Sequence, residues 1–278
     1  MPSGRPSKRR PRAVVVELFG LPGSGKTYLA RALCEVLQRS SRSVLDFSRH
    51  TSPLRLSWEW VRDHLAVRSW MVCHPFETLD LWRQIRDSGQ VTRRERKRLT
   101  RGWLKTIVRL QQCANHYDII LMDQGFLQLL WGVGYEAQPA TWNRVRQKLL
   151  GLIPAPDVVL LIDASPDVAV RRLLNRPGIT SRVERDGPQS GDVMERAQSL
   201  TSRLRDELET RRTGWHDTLL IPVDNVTDGC SQVALETIAE RLEQIADGDS
   251  SHEEIAAANG TFDPSRASAN SIGMQNNQ

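Results

Sequence analysis

The segment with the clearest chemical signature is a glycine-rich loop near the start of the chain. Residues 20–27 are Gly-Leu-Pro-Gly-Ser-Gly-Lys-Thr, which matches the pattern G-x-x-x-x-G-K-[ST]. Residues 13–19 before the loop are mostly apolar and favour a buried strand, and the stretch 28–38 after it favours a helix. A strand, a tight glycine loop and a helix N-terminus are the context in which this pattern holds phosphate. The loop therefore predicts that the protein binds a nucleoside triphosphate.

Each residue type in this loop has a chemical task. Glycines let the backbone close around a phosphate, because a Cβ would collide with it or forbid the φ values required. The loop amides and the positive end of the helix dipole then face the anion. Lys26 supplies a positive charge to the β- and γ-phosphates, and the Thr27 hydroxyl is placed to bind Mg²⁺. The predicted ATP-binding residues of the loop are Gly20, Pro22, Gly23, Ser24, Gly25, Lys26, Thr27 and Tyr28.

A second residue with chemical potential, Asp123, ends another apolar run. Residues 117–123 are Tyr-Asp-Ile-Ile-Leu-Met-Asp, a pattern typical of a buried parallel strand with a carboxylate at its carboxyl end. Ligands bind at that edge of open α/β sheets. A carboxylate there can hold Mg²⁺ or accept a proton from an attacking hydroxyl. The alternative is that Asp123 only caps the helix that follows.

Composition limits the class of protein. Of the 278 residues, 39% are hydrophobic, which is enough for a sizeable core, and no apolar run approaches the ~18 residues of a membrane span. The apolar run before the loop is too short for a signal peptide. The four cysteines form no C-x-x-C pair, so neither a disulfide framework nor a zinc site is indicated. We therefore expect a cytoplasmic protein with no membrane partner.

The net charge of +5 comes mainly from arginines, whose planar fork suits phosphate binding, although a general bias towards arginine explains most surface positions equally well.

Alternating strand and helix patterns predict the fold class. Strands are predicted at 13–19, 43–47, 117–123, 158–163 and 218–224. Helices are predicted at 28–38, 53–70, 75–87, 92–116, 127–131, 139–150, 166–176, 192–212 and 231–246. A break is expected at Gly132-Val133-Gly134. Strands separated by helices imply βαβ units, so we predict an α/β fold with a five-stranded parallel sheet and helices on both faces.

The predicted elements fit one domain. It spans residues 13–246 and includes an added helical segment at 51–116. Residues 1–12 are basic and residues 247–278 are polar, and neither stretch can bury apolar area, so both are predicted to be disordered tails. The basic tail could touch nucleic acid, but a solvated tail is the expectation.

The order of the motifs carries a family resemblance. The residues concerned are the loop at 20–27, Asp123, Asp-Ala-Ser-Pro-Asp-Val-Ala at 163–169, Arg172, Arg176 and Ser-Arg-Val-Glu at 181–184. This arrangement resembles the thymidylate kinase and deoxynucleoside kinase branch of the P-loop kinases, a nucleoside monophosphate kinase-like type. The resemblance covers residues 13–50 and 117–246 and leaves 51–116 unaligned.

The resemblance implies a P-loop NTPase fold and an ATP- and Mg²⁺-dependent kinase with a nucleotide- or nucleoside-like acceptor. Residues 176–191 are the implied lid, whose arginines reach the phosphates or the adenine face. An arginine on the transferring phosphoryl group contributes ~10³–10⁵ in rate. The implied catalytic residues are Lys26, Asp123, Arg176 and Arg182. Arg172 and Asp224 are implied to join the ATP site, and Thr27 and Asp123 to bind the metal. A homodimer is compatible with the resemblance.

One departure from the family pattern concerns the acceptor. Thymidylate kinases follow the strand-ending aspartate with an arginine that holds the acceptor phosphate, and deoxynucleoside kinases have Glu-Arg-Ser there. This chain has Gln124-Gly125. The acceptor therefore either lacks a phosphate or is held by another arginine, for which Arg49, Arg55 and Arg83 are the candidates.

An alternative function is a nucleotide-dependent switch or assembly protein that acts through a protein or nucleic-acid partner. Trp58, Trp60, Trp70 and the basic run 93–98 would then form its surface, although packing against the sheet is the commoner use of such tryptophans. No N-K-x-D motif is present, which argues against a GTPase. We expect no nucleic-acid partner. A degenerate loop protein without chemistry is disfavoured by the intact Gly-Lys-Thr.

Overall fold

Five strands form the centre of the protein. The computed structural model describes residues 12–47, 53–90, 92–176, 181–210, 215–225 and 231–248, and describes residues 53–60 by their backbone only. The strands are β1 (Val14–Gly20), β2 (Val44–Asp46), β3 (Ile119–Met122), β4 (Val158–Asp163) and β5 (Leu219–Asp224). They lie in the order β2-β3-β1-β4-β5, and all neighbouring pairs are parallel. The predicted α/β fold with a five-stranded parallel sheet is confirmed.

Helices connect the strands and cover both faces of the sheet. They are α1 (Lys26–Arg39), α2 (Pro53–Cys73), α3 (Pro75–Asp87), α4 (Arg93–Cys113), α5 (Phe126–Gly134), α6 (Pro139–Gly151), α7 (Pro166–Leu174), α8 (Arg182–Asp186), α9 (Gly191–Glu209) and α10 (Gln232–Asp247). None of the helices in the described ranges has both the length and the apolarity needed to cross a bilayer. The predicted tails, 1–12 and 247–278, lie almost entirely outside those ranges.

Two apolar layers hold the sheet between the helices. Val16 and Leu18 of β1 belong to the layer that includes side chains of α1 and α10. Val15 and Phe19 face the opposite layer, which draws on α3 to α7 and α9. Each of these side chains is almost completely buried, and full burial of one such residue contributes about 1.5–3 kcal/mol. Because both faces are covered, the central strands are apolar almost throughout.

The predicted break at Gly132-Val133-Gly134 is wrong, because α5 continues through both glycines. A Cβ on Gly134 would lie 2.7 Å from the Trp142 ring on α6. The glycine therefore allows the two helices to approach closely, and this packing outweighs its low helix propensity. The prediction followed propensity alone and did not include the contact between Gly134 and Trp142.

A buried acid in β1 fixes the start of α5. Glu17 is fully buried, and its Oε1 accepts the backbone N–H of Leu127 at 2.5 Å and of Gln128 at 3.3 Å. Those N–H groups belong to the first turn of α5 and have no partner within the helix. The Glu17 side chain thus determines where α5 begins, directly after the strand-ending Asp123.

Strand order determines which loops meet at the carboxyl edge of the sheet. The loop after β1 lies at the centre, with the residues after β3 on one side and those after β4 on the other. Phe47 continues the outermost strand on the β3 side, where its N–H donates to the Leu121 carbonyl at 3.0 Å. Asn225 follows the outermost strand on the opposite side. The site described below lies along this edge.

Candidate functional site

The loop between β1 and α1 adopts a conformation that its glycines require. Gly23 has φ +87° and Gly25 has φ +93°, values that L side chains rarely adopt. A Cβ on Gly23 would also lie 2.5 Å from the Ala169 carbonyl oxygen, and one on Gly25 would overlap the Asn225 amide. The loop is therefore closed tightly, as the motif predicts.

Lys26 begins α1 and is folded over the loop. Its Nζ donates to the carbonyl of Gly20 at 2.8 Å and to that of Leu21 at 2.9 Å. The residue is only 6% exposed, and burial lowers the pKa of Lys26 to about 7, although the Asp123 carboxylate opposes this. A buried ammonium held by neutral carbonyls is stabilised further by an anion. The arrangement therefore suits a phosphate at the loop.

The next residue of α1 makes the contact that joins two distant motifs. Thr27 Oγ1 donates to Asp123 Oδ2 at 2.7 Å. Asp123 is buried, and burial raises its pKa, which the hydrogen bond from Thr27 partly offsets. The carboxylate of Asp46 on β2 raises it further. The two oxygens predicted to bind Mg²⁺ thus lie side by side at the carboxyl edge of the sheet.

No cluster of three or more His, Cys, Asp or Glu side chains suited to a metal occurs in the described ranges. A magnesium ion held by one hydroxyl and one carboxylate takes its other ligands from phosphate and water, as Mg²⁺ commonly does. Thr27 and Asp123 fit that type of site, and the buried Lys26 beside them fits the accompanying phosphates.

Two donors hold the peptide between Ser24 and Gly25. The Asn225 side-chain amide donates to the Ser24 carbonyl at 2.6 Å, and Arg172 Nη1 donates to the same oxygen at 3.2 Å. Arg172 also reaches the Asn225 carbonyl at 3.4 Å. Arg172 therefore lies at the loop, where its described contacts orient the backbone, and its role in binding ATP stays a prediction.

Asn225 is a loop-contacting residue that the sequence analysis did not single out. It is 3% exposed and contacts the loop, whereas the neighbouring Asp224, predicted to join the ATP site, is exposed. Along β5 the buried residues alternate with less buried ones, and Leu219, Ile221 and Val223 are the buried set. That alternation places Asn225 on the buried side, and it is the signal that could have identified the residue.

A cavity of about 900 Å³ opens beside the loop and Asp123. Most of the predicted site residues line it: Pro22, Gly23, Gly25, Lys26, Thr27, Tyr28, Asp123, Arg172, Arg176 and Arg182. Gly20, Ser24 and Asp224 do not. The structure thus brings the loop, the strand-ending aspartate and all three predicted arginines to one cavity.

Arg182 is buried and fixed by other side chains, whereas an arginine of a lid that closes over ATP must be able to move. It is 3% exposed, and its guanidinium donates to Gln90 at 2.9 Å and pairs with Glu95 at 3.0 Å and Glu136 at 3.3 Å. Arg185 pairs with the same two glutamates. In this conformation Arg182 fastens α8 to α4 and to the turn after α5. A direct role for it at the phosphate stays a prediction.

The predicted lid, residues 176–191, is described in part. Residues 177–180 lie outside the described ranges, and the remainder contains the short helix α8, capped by Ser181 and Glu184 in a reciprocal pair of hydrogen bonds. Arg176 lines the cavity and lowers the pKa of Lys26 by its positive charge. Arg176 and Lys26 thus line the same cavity.

The acceptor side of the cavity differs from the candidates named from sequence. Arg83 is exposed and does not line the cavity, Arg49 lies outside the described ranges, and of Arg55 only the backbone is described. The helix α4 instead provides Arg98, Lys105 and Arg109. Arg98 belongs to the basic run 93–98, which usually marks a solvated helix face, and Lys105 and Arg109 stand outside any motif in the sequence.

Two amide side chains and one aromatic also line this part of the cavity, namely Gln124, Gln128 and Trp131. Gln128 Oε1 is a buried acceptor for which no hydrogen-bond donor is found in the described ranges. The cavity therefore offers hydrogen bonds as well as positive charge.

No protein-family model matches the sequence, and no curated protein matches it significantly. The geometry of the site is therefore the basis on which a function is proposed below.

Proposed function

We propose that this protein is an ATP-dependent phosphotransferase that moves the γ-phosphoryl group to a small-molecule acceptor, most similar to a nucleotide or nucleoside. The fold we propose is that of a P-loop kinase of the thymidylate kinase type. ATP and Mg²⁺ are the proposed cofactors. A cytoplasmic location and a homodimer stay predictions.

One observation carries the proposal. The Thr27 hydroxyl and the Asp123 carboxylate, 96 residues apart in the chain, meet at 2.7 Å beside the buried Lys26. A hydroxyl and a carboxylate next to a lysine and a glycine loop are the groups that phosphoryl-transfer enzymes use to hold Mg²⁺ and the terminal phosphates. An aspartate that only capped α5 would not need to contact Thr27.

The proposed roles follow from the positions of the groups. The loop amides and Lys26 hold the β- and γ-phosphates, and Thr27 and Asp123 hold the magnesium ion, which when bound neutralises phosphate charge. Arg176 supplies positive charge to the cavity, where negative charge develops on the phosphoryl oxygens during transfer. A carboxylate at this position can alternatively accept a proton from the acceptor hydroxyl.

The proposal is tested by measuring ADP production against a panel of nucleosides, nucleotides, sugars and sugar phosphates, with Mg²⁺ present. We expect one class of acceptor to increase ADP production well above the rate with ATP alone. Lys26→Ala should remove this stimulation while circular dichroism shows an intact fold. A rate that no acceptor changes would contradict the proposal.

A second candidate, a nucleotide-dependent switch or assembly protein, is favoured by one observation. Leu65 and Val72 on α2 and Phe76 on α3 are apolar side chains at least 60% exposed. Large exposed apolar residues in a group are typical of partner surfaces. ATP hydrolysis that a protein partner stimulates, with free phosphate as the product, would favour this candidate over the kinase.

A further inference from the structure

The order of the strands places different residues at the two ends of the cavity. Arg172 lies at the β5 end, where it contacts Asn225, and Phe47 lies at the β2 end, with the loop and Asp123 between them. Neighbouring strands are about 4.8 Å apart, so Phe47 is roughly 10 Å from the loop along the edge of the sheet.

Arg109 occupies the β2 end in a fixed position. Its guanidinium lies over the Phe47 ring, 4.3 Å from the ring centroid, and Nη1 donates to the Phe47 carbonyl at 3.2 Å. Phe47 is itself fixed by its hydrogen bond to the Leu121 carbonyl of β3. The arginine is half-buried and lines the cavity. Its orientation is therefore set before any ligand binds, which lowers the entropic cost of binding.

Arg109 also differs from the other two cations of α4 that line the cavity. Lys105 pairs with Asp63 at 2.9 Å, and Arg98 pairs with Glu95 at 3.6 Å. No carboxylate pairs with Arg109 in the ranges that the structure describes. A half-buried guanidinium loses hydration, and an anion with a planar or tetrahedral set of oxygens restores its hydrogen bonds.

Resting on the proposed kinase activity, we infer that the acceptor carries an anionic group and that Arg109 binds it, at the end of the cavity opposite Arg172. Asp123 is the one acidic side chain among the described residues that line the cavity, so repulsion of an anionic acceptor is confined to the region where magnesium is expected. Arg109 would then bind the acceptor anion, which Gln124 cannot do because it carries no charge. The acceptor hydroxyl then lies between the anion and the loop.

Calorimetric titration with inorganic phosphate tests the anion site without requiring any turnover. The Lys26→Ala chain is used, because its loop is impaired as a competing phosphate site, and ionic strength is held constant. Adding Arg109→Gln should weaken phosphate binding by about 10- to 100-fold, the effect of losing charge-assisted hydrogen bonds. Arg94→Gln, an exposed arginine on the same helix away from the cavity, should change it little. Equal phosphate affinity with and without Arg109 would overturn the inference.

Matched acceptors test the substrate class in the wild-type protein. Each nucleoside or sugar is compared with its phosphate monoester and its carboxylate analogue, and kcat/KM is measured for each. We expect the anionic member of a pair to be preferred, and Arg109→Gln to remove the preference by raising KM. Preference for the neutral member would overturn the inference while leaving the kinase proposal intact. Phosphate binding that depends on Arg109, with no transfer to any acceptor, would support the anion site and contradict the kinase.

Discussion

Thr27 and Asp123 form a hydrogen bond of 2.7 Å between the first turn of α1 and the end of β3. The bond joins the glycine loop to the strand that lies next to β1 in the sheet. Because parallel strands carry their carboxyl ends to one edge, the fold itself brings the two side chains together. The pair is the centre of the proposed active site.

Replacing Asp123 by Asn should lower kcat by roughly 10²–10⁴-fold, because the amide is a poorer metal ligand and cannot accept a proton. ATP affinity should change by less than about threefold, since the loop and Lys26 supply most of the phosphate contacts. Steady-state kinetics and nucleotide titration separate the two effects. Asp163→Asn is the matched control, because Asp163 ends β4, pairs with Arg205 and is 65% exposed. Equal loss of turnover and of affinity in Asp123→Asn would indicate a structural role.

Replacing Glu17 by Gln should change how stability depends on pH. Burial raises the pKa of Glu17 from 4.5 to about 8, so between these values the unfolded chain releases a proton that the folded protein retains. Stability contributed by this group is complete below pH 4.5 and is lost as pH rises, at up to about 1.4 kcal/mol per pH unit. Glu17→Gln keeps an oxygen for the N–H groups of α5 and should remove this loss.

Urea unfolding at pH 5, 6.5 and 8 measures the effect of Glu17→Gln. The variant should gain stability over the wild type as pH rises, and the exposed Glu240→Gln should follow the wild type. A constant difference between Glu17→Gln and the wild type at all three pH values would show that Glu17 is ionised in the folded protein.

Replacing Arg182 by Met should destabilise the protein by about 1–3 kcal/mol, because Glu95 and Glu136 lose a buried partner. Arg185 continues to pair with both glutamates, which limits the loss. Arg185→Met, at a position 42% exposed, should cost less than about 1 kcal/mol. Thermal unfolding of the two variants tests this order, and the reverse order would mean that α8 is fastened mainly through Arg185.

Replacing Asn225 by Ala should weaken ATP binding by about 3- to 10-fold, since the Ser24 carbonyl loses its 2.6 Å hydrogen bond and the loop becomes less ordered. Asp224→Ala should have a smaller effect, because Asp224 is exposed whereas Asn225 is buried against the loop. Nucleotide titration compares the two neighbours. A larger loss with Asp224→Ala would support the sequence-based expectation that this residue joins the ATP site.

Local patterns in the sequence predicted the glycine loop, the five strands and the position of Asp123. These features depend on residues close together in the chain, namely apolar runs, glycine spacing and a terminal carboxylate. The Gly132–Gly134 segment was predicted wrongly, because its conformation depends on contact with Trp142, which no local pattern contains.

The partners of Glu17, Asn225 and Arg109 could not be predicted for the same physical reason. Glu17 caps a helix that starts 109 residues later, and Asn225 holds a loop 201 residues earlier. Phe47 and Arg109 meet because β2 is at one edge of the sheet and α4 crosses beside it. The order of the strands in the sheet determines these contacts, and local patterns in the sequence do not reveal that order.

The destination of the γ-phosphoryl group tests the central claim most directly. ATP labelled at the γ-phosphate is incubated with the protein, Mg²⁺ and the panel of anionic and neutral acceptors, and the products are separated. We predict that the label appears on an acceptor, and that Lys26→Ala and Asp123→Asn abolish this product while Asp163→Asn retains it. Label recovered only as free phosphate with every acceptor, or transfer that persists in Lys26→Ala, would contradict the account.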